Sequence, residues 1–94
     1  MKKWSKTKYR DECDKIAGKV CRGFGRCERC NSTQNLQWCH IKGSINLHLR
    51  YDPRNCLCLC ATCHFFFHNN PDELKDFVDF RYPGRLDYLR KEKN

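Results

Sequence analysis

Residues 55–68 read NCLCLCATCHFFFH, a dense run of side chains that can bind metal ions. Cys60 and Cys63 form a C-x2-C pair, and His64 and His68 stand four positions apart. In a helix that begins near Cys60, positions i and i+4 lie on one face, one turn apart. Two imidazoles placed in this way can bind a single cation. The stretch therefore predicts a helix that carries metal-binding side chains.

A second C-x2-C pair, Cys27 and Cys30, lies in the sequence FGRCERC at residues 24–30. Two such pairs are typical of a closed, structural zinc site with four thiolate ligands in a tetrahedron. The predicted ligands of this zinc ion are Cys27, Cys30, Cys60 and Cys63. The interval between the pairs is longer than in a short zinc ribbon, so we expect a hairpin to lie between them.

The composition favours one small domain that a metal ion stabilises. The chain has 94 residues, of which 32% are charged and 39% hydrophobic, so its core must be thin. Its nine cysteines are an odd number, and the first residues, MKKWSK, lack the apolar run of a secretory signal. We therefore expect a reducing, intracellular setting, with a small secreted disulfide protein as the alternative. No stretch approaches the roughly 20 apolar residues of a membrane span, so no membrane partner is expected.

The net charge of +8 points to nucleic acid as a partner, because contacts to phosphate supply much of the affinity in such complexes. Four thiolates and one zinc ion would lower this charge to about +6. A basic surface that is merely solvated is the alternative. Residues 2–10 are read either as an arm that contacts phosphate or as a solvated arm. The basic residues of this arm are Lys2, Lys3, Lys6, Lys8 and Arg10.

The apolar spacing before the first cysteine pair predicts a helix over residues 9–23, with charged residues on its other face. Its apolar stripe consists of Tyr9, Cys13, Ile16, Ala17, Val20, Cys21 and Phe24. Cys13 and Cys21 lie on this stripe and are predicted to be buried thiols, not metal ligands.

Two strands are predicted between the cysteine pairs, over residues 36–41 and 55–59. The loop that joins them, residues 42–54, carries three cations suited to gripping a phosphate backbone: Lys42, Arg50 and Arg54. On the second strand Leu57 and Leu59 share one face. Cys56 and Cys58 share the other face, where they either pack as small apolar groups or compete for zinc.

The C-terminal part is predicted to be helical. On the helix after Cys60, Phe66 is expected to be the aromatic anchor in the core. A second short helix is expected to begin with Asp72 as its N-cap, just after Pro71. One or two final helical turns around Leu86 and Leu89 complete the chain.

Together these features resemble the HNH endonucleases, members of the ββα-metal nuclease class, and most of all the small phage HNH proteins. The resemblance covers roughly residues 24–80 and rests on WCHI at 38–41, LRYDPRN at 49–55, LCATCH at 59–64 and NP at 70–71. It implies a single α+β domain over residues 1–94. Within that domain we expect a basic arm and helix over 1–23, a ββα-metal core with zinc knuckles over 24–70, and a helical extension over 71–94.

The resemblance also implies a role for each matching residue. His40 matches the general base, Asn55 matches the Asn that braces the loop presenting the base, and His64 matches a ligand of the catalytic metal. His68 resembles an extra metal ligand of some family members. Cys39 departs from the pattern, which has Asp or His there. It either coordinates a softer ion such as Zn²⁺ or Ni²⁺, or does not coordinate and leaves His64, His68, water and phosphate around Mg²⁺ or Mn²⁺.

The expected function is that of a metal-dependent endonuclease that hydrolyses DNA, with one structural Zn²⁺ and one catalytic divalent cation. One alternative is a zinc-stapled DNA-binding module without activity, and another is a structural adaptor in a phage packaging or recombination assembly. If the chain is phage-encoded, the expected location is the cytoplasm of the host cell. Either a monomer or a dimer is compatible with these features.

Overall fold

The structure is a computed structural model that describes residues 6–42 and 47–91. Residues 2–5 of the predicted basic arm lie outside the described part. The helices of the described part are α1 (Lys6–Arg22), α2 (Leu47–Arg50), α3 (Ala61–Asn69), α4 (Pro71–Arg81) and α5 (Arg85–Lys91), and the strands are β1 (Leu36–His40) and β2 (Cys56–Cys60). A 3₁₀ turn, Pro53–Asn55, precedes β2. The fold is therefore α+β, as predicted.

The two strands pair antiparallel, with His40 opposite Cys56 and Leu36 opposite Cys60. Helix α3 follows β2 without a loop, because Cys60 ends the strand and also serves as the N-cap of the helix, its Sγ accepting from the Cys63 N–H. The chain therefore runs through β1, β2 and α3 in the order ββα. This corner brings the start of α3 close to the sheet.

One face of the sheet carries the core. Leu57 and Leu59 are fully buried there, together with Cys63 and Phe67 of α3 and Val78 of α4. Cys63 and Phe67 are one turn apart, so they lie on the same face of α3. The buried aromatic residue is therefore Phe67, and the prediction that Phe66 is the core anchor was wrong. Phe66 packs at the margin of this core.

Helix α1 covers the other face of the sheet, and at Gly18 it passes so close that an added Cβ would lie 3.5 Å from the Trp38 ring. The predicted apolar stripe of α1 does not lie fully against the sheet. Ile16 and Val20 are 64% and 68% exposed, and Cys13 is only partly buried, whereas Cys21 is buried as predicted. A two-stranded sheet is too narrow to cover the whole stripe. A groove of about 580 Å³, lined by apolar residues of α1 and by Trp38, is left between them.

The connections differ in detail from the predictions. The region predicted as a loop, residues 42–54, contains α2 and the beginning of the 3₁₀ turn. Helix α4 begins at Pro71, with Asn70 and not Asp72 at the N-cap position, because the fixed φ of proline suits the first residue of a helix. Helix α5 occupies the predicted final turns. In the described residues, none of the helices has the length and apolar character that crossing a membrane requires.

Candidate metal centre and active site

The four predicted zinc ligands come together in space. The Sγ atoms of Cys27, Cys30, Cys60 and Cys63 all lie within 4.8 Å of one another, and those of Cys30 and Cys60 are 3.7 Å apart. Zinc–sulfur bonds of about 2.3 Å in a tetrahedron separate the sulfur atoms by about 3.8 Å. The group could therefore hold a metal ion such as zinc.

The turn that carries the first pair presents its backbone N–H groups to sulfur. The amides of Arg29 and Cys30 donate to the Cys27 Sγ over 3.4 and 3.5 Å. Burial by itself raises the pKa of the Cys27 thiol, but the backbone of Cys60, and then the amides of Cys30 and Arg29, outweigh it and bring the pKa to about 6. Asn31 closes the turn with a positive φ of 67°, a conformation that asparagine tolerates better than most residues. The local backbone thus favours the thiolate that a metal requires.

Arg29 lies beside the sulfur cluster and joins it to α3. Its Nη1 donates to the Cys63 Sγ over 3.4 Å, and its guanidinium lies 4.1 Å from the centre of the Phe66 ring. A cation in this position would offset part of the negative charge that four thiolates carry when they bind a metal ion. The sequence pattern did not indicate this role for Arg29.

Glu28 fastens the same turn to the rest of the fold. Its Oε2 accepts from the Cys58 N–H over 2.7 Å, while its Oε1 accepts from the Tyr82 hydroxyl and from the Arg81 Nε. The Glu28 backbone N–H also donates to the Cys58 carbonyl over 2.8 Å. One buried carboxylate therefore joins the knuckle, β2 and the end of α4. It is a second contribution that the sequence pattern did not indicate.

His40 lies at the end of β1, on the same face as Trp38, and the centres of the two rings are 4.4 Å apart. Its Nε2 is 3.1 Å from the Arg50 carbonyl oxygen. A carbonyl can only accept, so this bond requires the proton on Nε2 and leaves Nδ1 unprotonated in the neutral ring. Burial lowers the pKa of His40 below its ordinary value of 6.5, which keeps the ring neutral at physiological pH.

Asn55 is fully buried, and its side chain bonds to two points of the connection between the strands, Lys42 near its start and Leu49 in α2. Its Oδ1 accepts from the Lys42 N–H over 2.8 Å, and its Nδ2 donates to the carbonyls of Lys42 and Leu49 over 3.1 Å each. Asparagine suits this position because its amide offers an acceptor and two donors at once. Leu49 directly precedes Arg50, whose carbonyl binds His40.

His64 is half-buried in the first part of α3, and its Nδ1 lies 2.7 Å from the Oε1 of Gln37. Because an amide oxygen accepts, Nδ1 carries the proton and Nε2 is available as a ligand atom. Burial, and then the neighbouring His68, lower the pKa of His64. His68 lies one turn further along α3 and is exposed.

The side chain of His40 lies on one face of β1, and Gln37, the residue that His64 contacts, lies on the other face. Successive side chains of a strand alternate between faces, so His40 lies with Trp38 while Gln37, the partner of His64, lies with Cys39. The two imidazoles are nevertheless within electrostatic reach, because His64 contributes to lowering the pKa of His40.

Cys39 is a core residue, only 4% exposed. Burial raises the pKa of its thiol to about 12, so it is protonated at neutral pH. Within residues 6–42 and 47–91, the four zinc-type cysteines form the one group that brings three or more potential ligand atoms together. Cys39, His64 and His68 therefore do not form a three-ligand group in that part of the chain.

The predicted DNA-binding cations occupy different environments. Lys42 is exposed, and its backbone bonds to Asn55. Arg50 is 12% exposed and forms a two-bond ion pair with Asp14, with distances of 2.8 and 2.7 Å. Arg54 bonds to Asp52, and its guanidinium lies 3.9 Å from the centre of the Tyr88 ring. Two of the three side chains thus stabilise the folded chain itself.

The two remaining strand cysteines lie outside the zinc-type group. Cys58 is buried, and the Sγ of Cys56 donates to the Pro53 carbonyl over 3.3 Å. The neighbouring Cys21 thiol of α1 lowers the pKa of Cys56. These thiols therefore pack between α1 and β2 and do not join the zinc-type group, which is the first of the two alternatives that the sequence left open.

Comparison with known proteins identifies no relative of the chain. No protein-family model, no curated protein and no solved structure matches the chain at a significant level. The candidate site is therefore interpreted from its own geometry.

Proposed function

We propose that the chain is a metal-dependent HNH endonuclease that hydrolyses DNA phosphodiester bonds. The observation that carries the proposal is the pair of neutral imidazoles, His40 and His64, each held by an acceptor at one ring nitrogen. The opposite ring nitrogen of each is thereby unprotonated, in the form required of a base or a metal ligand. The ββα order of the surrounding elements supports the same proposal.

In this proposal His40 is the general base. Its Nδ1 accepts a proton from the water molecule that attacks the phosphorus atom. A ring whose pKa lies below 6.5 is unprotonated at physiological pH and can take up that proton without first losing one. Asn55 supports the segment that carries the acceptor of His40, through its bond to the Leu49 carbonyl.

His64 and His68 would hold the catalytic cation, Mg²⁺, Mn²⁺, Ni²⁺ or Zn²⁺. A bound divalent cation would supply charge stabilisation at the scissile phosphate and at the leaving oxygen. The hydrogen bond from Nδ1 to Gln37 orients the His64 ring and raises its basicity, as the outer partners of metal-bound histidines do. Two side chains leave coordination positions for water and for phosphate oxygens.

The substrate would lie across the edge of β1 that faces away from β2. His40 and His64 contact opposite faces of this strand, so a phosphate group that reaches both must pass over its edge. In the described residues this edge of β1 pairs with no other strand. The net charge of +8 and the exposed Lys42 favour a polyanion there.

The four-cysteine group has a structural role in this proposal. It joins the knuckle at residues 27–30 to the corner at which β2 becomes α3. That corner sets the direction of α3 and hence the position of His64. The structural zinc and the catalytic cation are separate ions in the proposal.

The test is a plasmid-nicking assay with the zinc-loaded protein. Supercoiled DNA is incubated with wild type, His40→Ala or His64→Ala in the presence of Mg²⁺, Mn²⁺, Ni²⁺ or Zn²⁺. Asp76→Ala, which changes an exposed residue of α4, is the matched control. We expect wild type and control to nick at equal rates. The rate of His40→Ala should be lower by about 100-fold or more, as for the loss of a general base.

Two results would overturn the endonuclease proposal. Equal nicking by wild type and His40→Ala would show that His40 is not the base or that a contaminant cuts the DNA. Absence of nicking by folded, zinc-loaded wild type with all four cations would exclude the activity on this substrate.

The buried Cys39 favours a second candidate, a zinc-stapled DNA-binding or phage-assembly module without catalytic activity. The family pattern has a metal ligand at this position, and here the thiol lies in the core with its pKa raised to about 12. In that case the protein would bind DNA with a strong dependence on salt, and neither wild type nor His64→Ala would nick it.

A further inference from the structure

Asp14 on α1 is the centre of a polar cluster that reaches toward His40. Its two carboxylate oxygens accept from the Nε and Nη2 of Arg50 over 2.8 and 2.7 Å, and Oδ1 also accepts from the Tyr51 hydroxyl over 2.9 Å. Arg50 and Asp14 are 12% and 27% exposed in this pair. Ion pairs made through two parallel hydrogen bonds fix both distance and orientation. The carboxylate therefore holds the Arg50–Tyr51 segment in one place.

Aromatic rings extend the cluster to the end of β1. The Tyr51 ring stacks on Trp38 with 6.5 Å between ring centres, and the Arg50 guanidinium lies 5.9 Å from the centre of the Trp38 ring. Trp38 in turn packs against His40, 4.4 Å away. The same residue that Asp14 holds by its side chain, Arg50, accepts the His40 Nε2–H at its backbone carbonyl.

The position of this carbonyl is set by anchors on both sides. Asn55 binds the carbonyl of the preceding residue, Leu49, and Asp14 binds the side chains of Arg50 and Tyr51. Helix α2 has only four residues, Leu47–Arg50, and Arg50 is its last. So short a helix does not stabilise itself, and its end depends on such tertiary contacts.

We propose that Asp14 is a positioning residue for His40. By clamping Arg50 and Tyr51 it keeps the Arg50 carbonyl in line with Nε2–H and thus selects the tautomer whose Nδ1 is unprotonated. Asp14 touches neither substrate nor metal and acts only through Arg50. Its importance for cleavage rests on the proposed function, whereas its effect on the His40 ring does not.

The experiment measures the tautomer of His40 directly, by long-range ¹H–¹⁵N correlation spectra of the zinc-loaded protein above the pKa of the ring. Wild type should show the Nε2–H form. Asp14→Ala and Arg50→Met both remove the clamp while keeping the Arg50 carbonyl, so each should give a mixture with the Nδ1–H form. Asp14→Asn, which keeps one acceptor oxygen, should give a smaller change. Glu12→Gln, an acid-to-amide change on the same helix, should match wild type.

Nicking kinetics provide the second readout. Loss of the clamp should lower kcat by about 10-fold to 100-fold, the cost of a misplaced catalytic group, with KM unchanged. Zinc content and melting temperature establish that each variant is folded. If Asp14→Ala fails to fold, the His40 tautomers of Arg50→Met and Asp14→Asn, each compared with wild type, test the positioning role.

The outcomes separate this inference from the proposed function. A His40 tautomer that is the same in wild type, Asp14→Asn and Arg50→Met would overturn the positioning role, even if the protein nicks DNA. A change of tautomer in a protein that nicks no DNA would support the positioning role and reject the endonuclease. A change in Asp14→Ala without one in Arg50→Met would also overturn it, because the effect would not pass through Arg50.

Discussion

Gln37 and His64 join β1 to α3 through a hydrogen bond of 2.7 Å between Oε1 and Nδ1. The bond places the ring proton on Nδ1 and leaves Nε2 as the atom that can bind a metal. His64 directly follows Cys63, a member of the four-cysteine group. One short helix therefore carries a cysteine of the four-cysteine group in its first turn and, at the next residue, an imidazole held in the form of a ligand.

Replacing Gln37 should weaken binding of the proposed catalytic cation. In Gln37→Ala the His64 ring loses its orienting acceptor, and losses of this kind cost about 10–100-fold in metal affinity. Calorimetric titration of the zinc-loaded protein with Ni²⁺ or Mn²⁺ measures the change. Gln34→Ala, at an exposed glutamine of the preceding turn, is the control, and equal affinity of the two variants would contradict the role of Gln37.

Removal of one zinc ligand should unfold the domain. A structural zinc site contributes about 10–16 kcal/mol of apparent binding free energy, which is comparable with the whole stability of a small domain. Cys63→Ser, or treatment of wild type with a strong chelator, should therefore abolish the cooperative melting transition. Cys13→Ser, a partly buried cysteine outside the group, should retain it together with one zinc ion per chain. A Cys63→Ser variant with unchanged melting would refute a structural zinc site.

Asn55→Ala should lower the free energy of unfolding by about 2 kcal/mol or more. It removes the partners of one N–H and two carbonyl groups at a buried position, and a buried polar group without a partner costs about 1–3 kcal/mol. Urea unfolding measures the change. Asn69→Ala, an exposed asparagine on α3, should have a much smaller effect. Equal midpoints for the two variants would contradict the bracing role.

Cys39→Ala should leave the order of preference among divalent cations unchanged. The thiol is buried, and with its pKa raised to about 12 it does not supply a thiolate at neutral pH. Nicking rates with Mg²⁺, Mn²⁺, Ni²⁺ and Zn²⁺ test this, with His68→Ala as the comparison that should alter cation dependence. A switch of preference in Cys39→Ala would show that Cys39 coordinates the catalytic cation.

The pH dependence of cleavage should have its acid limb below pH 6.5. His40 acts as a base only when neutral, and burial lowers its pKa below this value. The pKa of His64 is lowered in the same direction, so protonation releases the proposed cation in the same range. Measurement of kcat/KM at saturating metal from about pH 5 to 8 gives the limb. A limb above pH 6.5 would contradict the assignment of His40.

The free energy of unfolding should also decrease as the pH falls below about 6.5. A histidine with a lowered pKa in the folded state binds fewer protons there than in the unfolded chain. The contribution of His40 and His64 to the free energy of unfolding is therefore full above the unfolded value of 6.5 and falls as the pH drops below it. Double replacement by glutamine should reduce this dependence in urea titrations.

The local elements could be predicted from the sequence because their signals are local. The C-x2-C spacing, the alternation over residues 36–41 and the proline at position 71 each act within a few residues. Both strands and the start of α3 lie within one residue of the predictions, whereas α1 begins three residues earlier than predicted and α2 lies in a region predicted as a loop. The rotation of α1 could not be predicted in this way. Its apolar stripe faces a sheet of only two strands, so the contact made at Gly18 leaves Ile16 and Val20 exposed.

The sequence by itself determined which side chains are available: four cysteines spaced for one metal ion, and histidines at 40, 64 and 68. Only the tertiary structure decided how the ring nitrogens are used, because the Arg50 carbonyl binds His40 and the Gln37 side chain binds His64 across the fold. It also decided that Cys39 faces the core and that Arg50 pairs with Asp14. These outcomes depend on the packing of helices against both faces of the sheet. The spacing of residues along the chain does not specify which distant side chains that packing brings together.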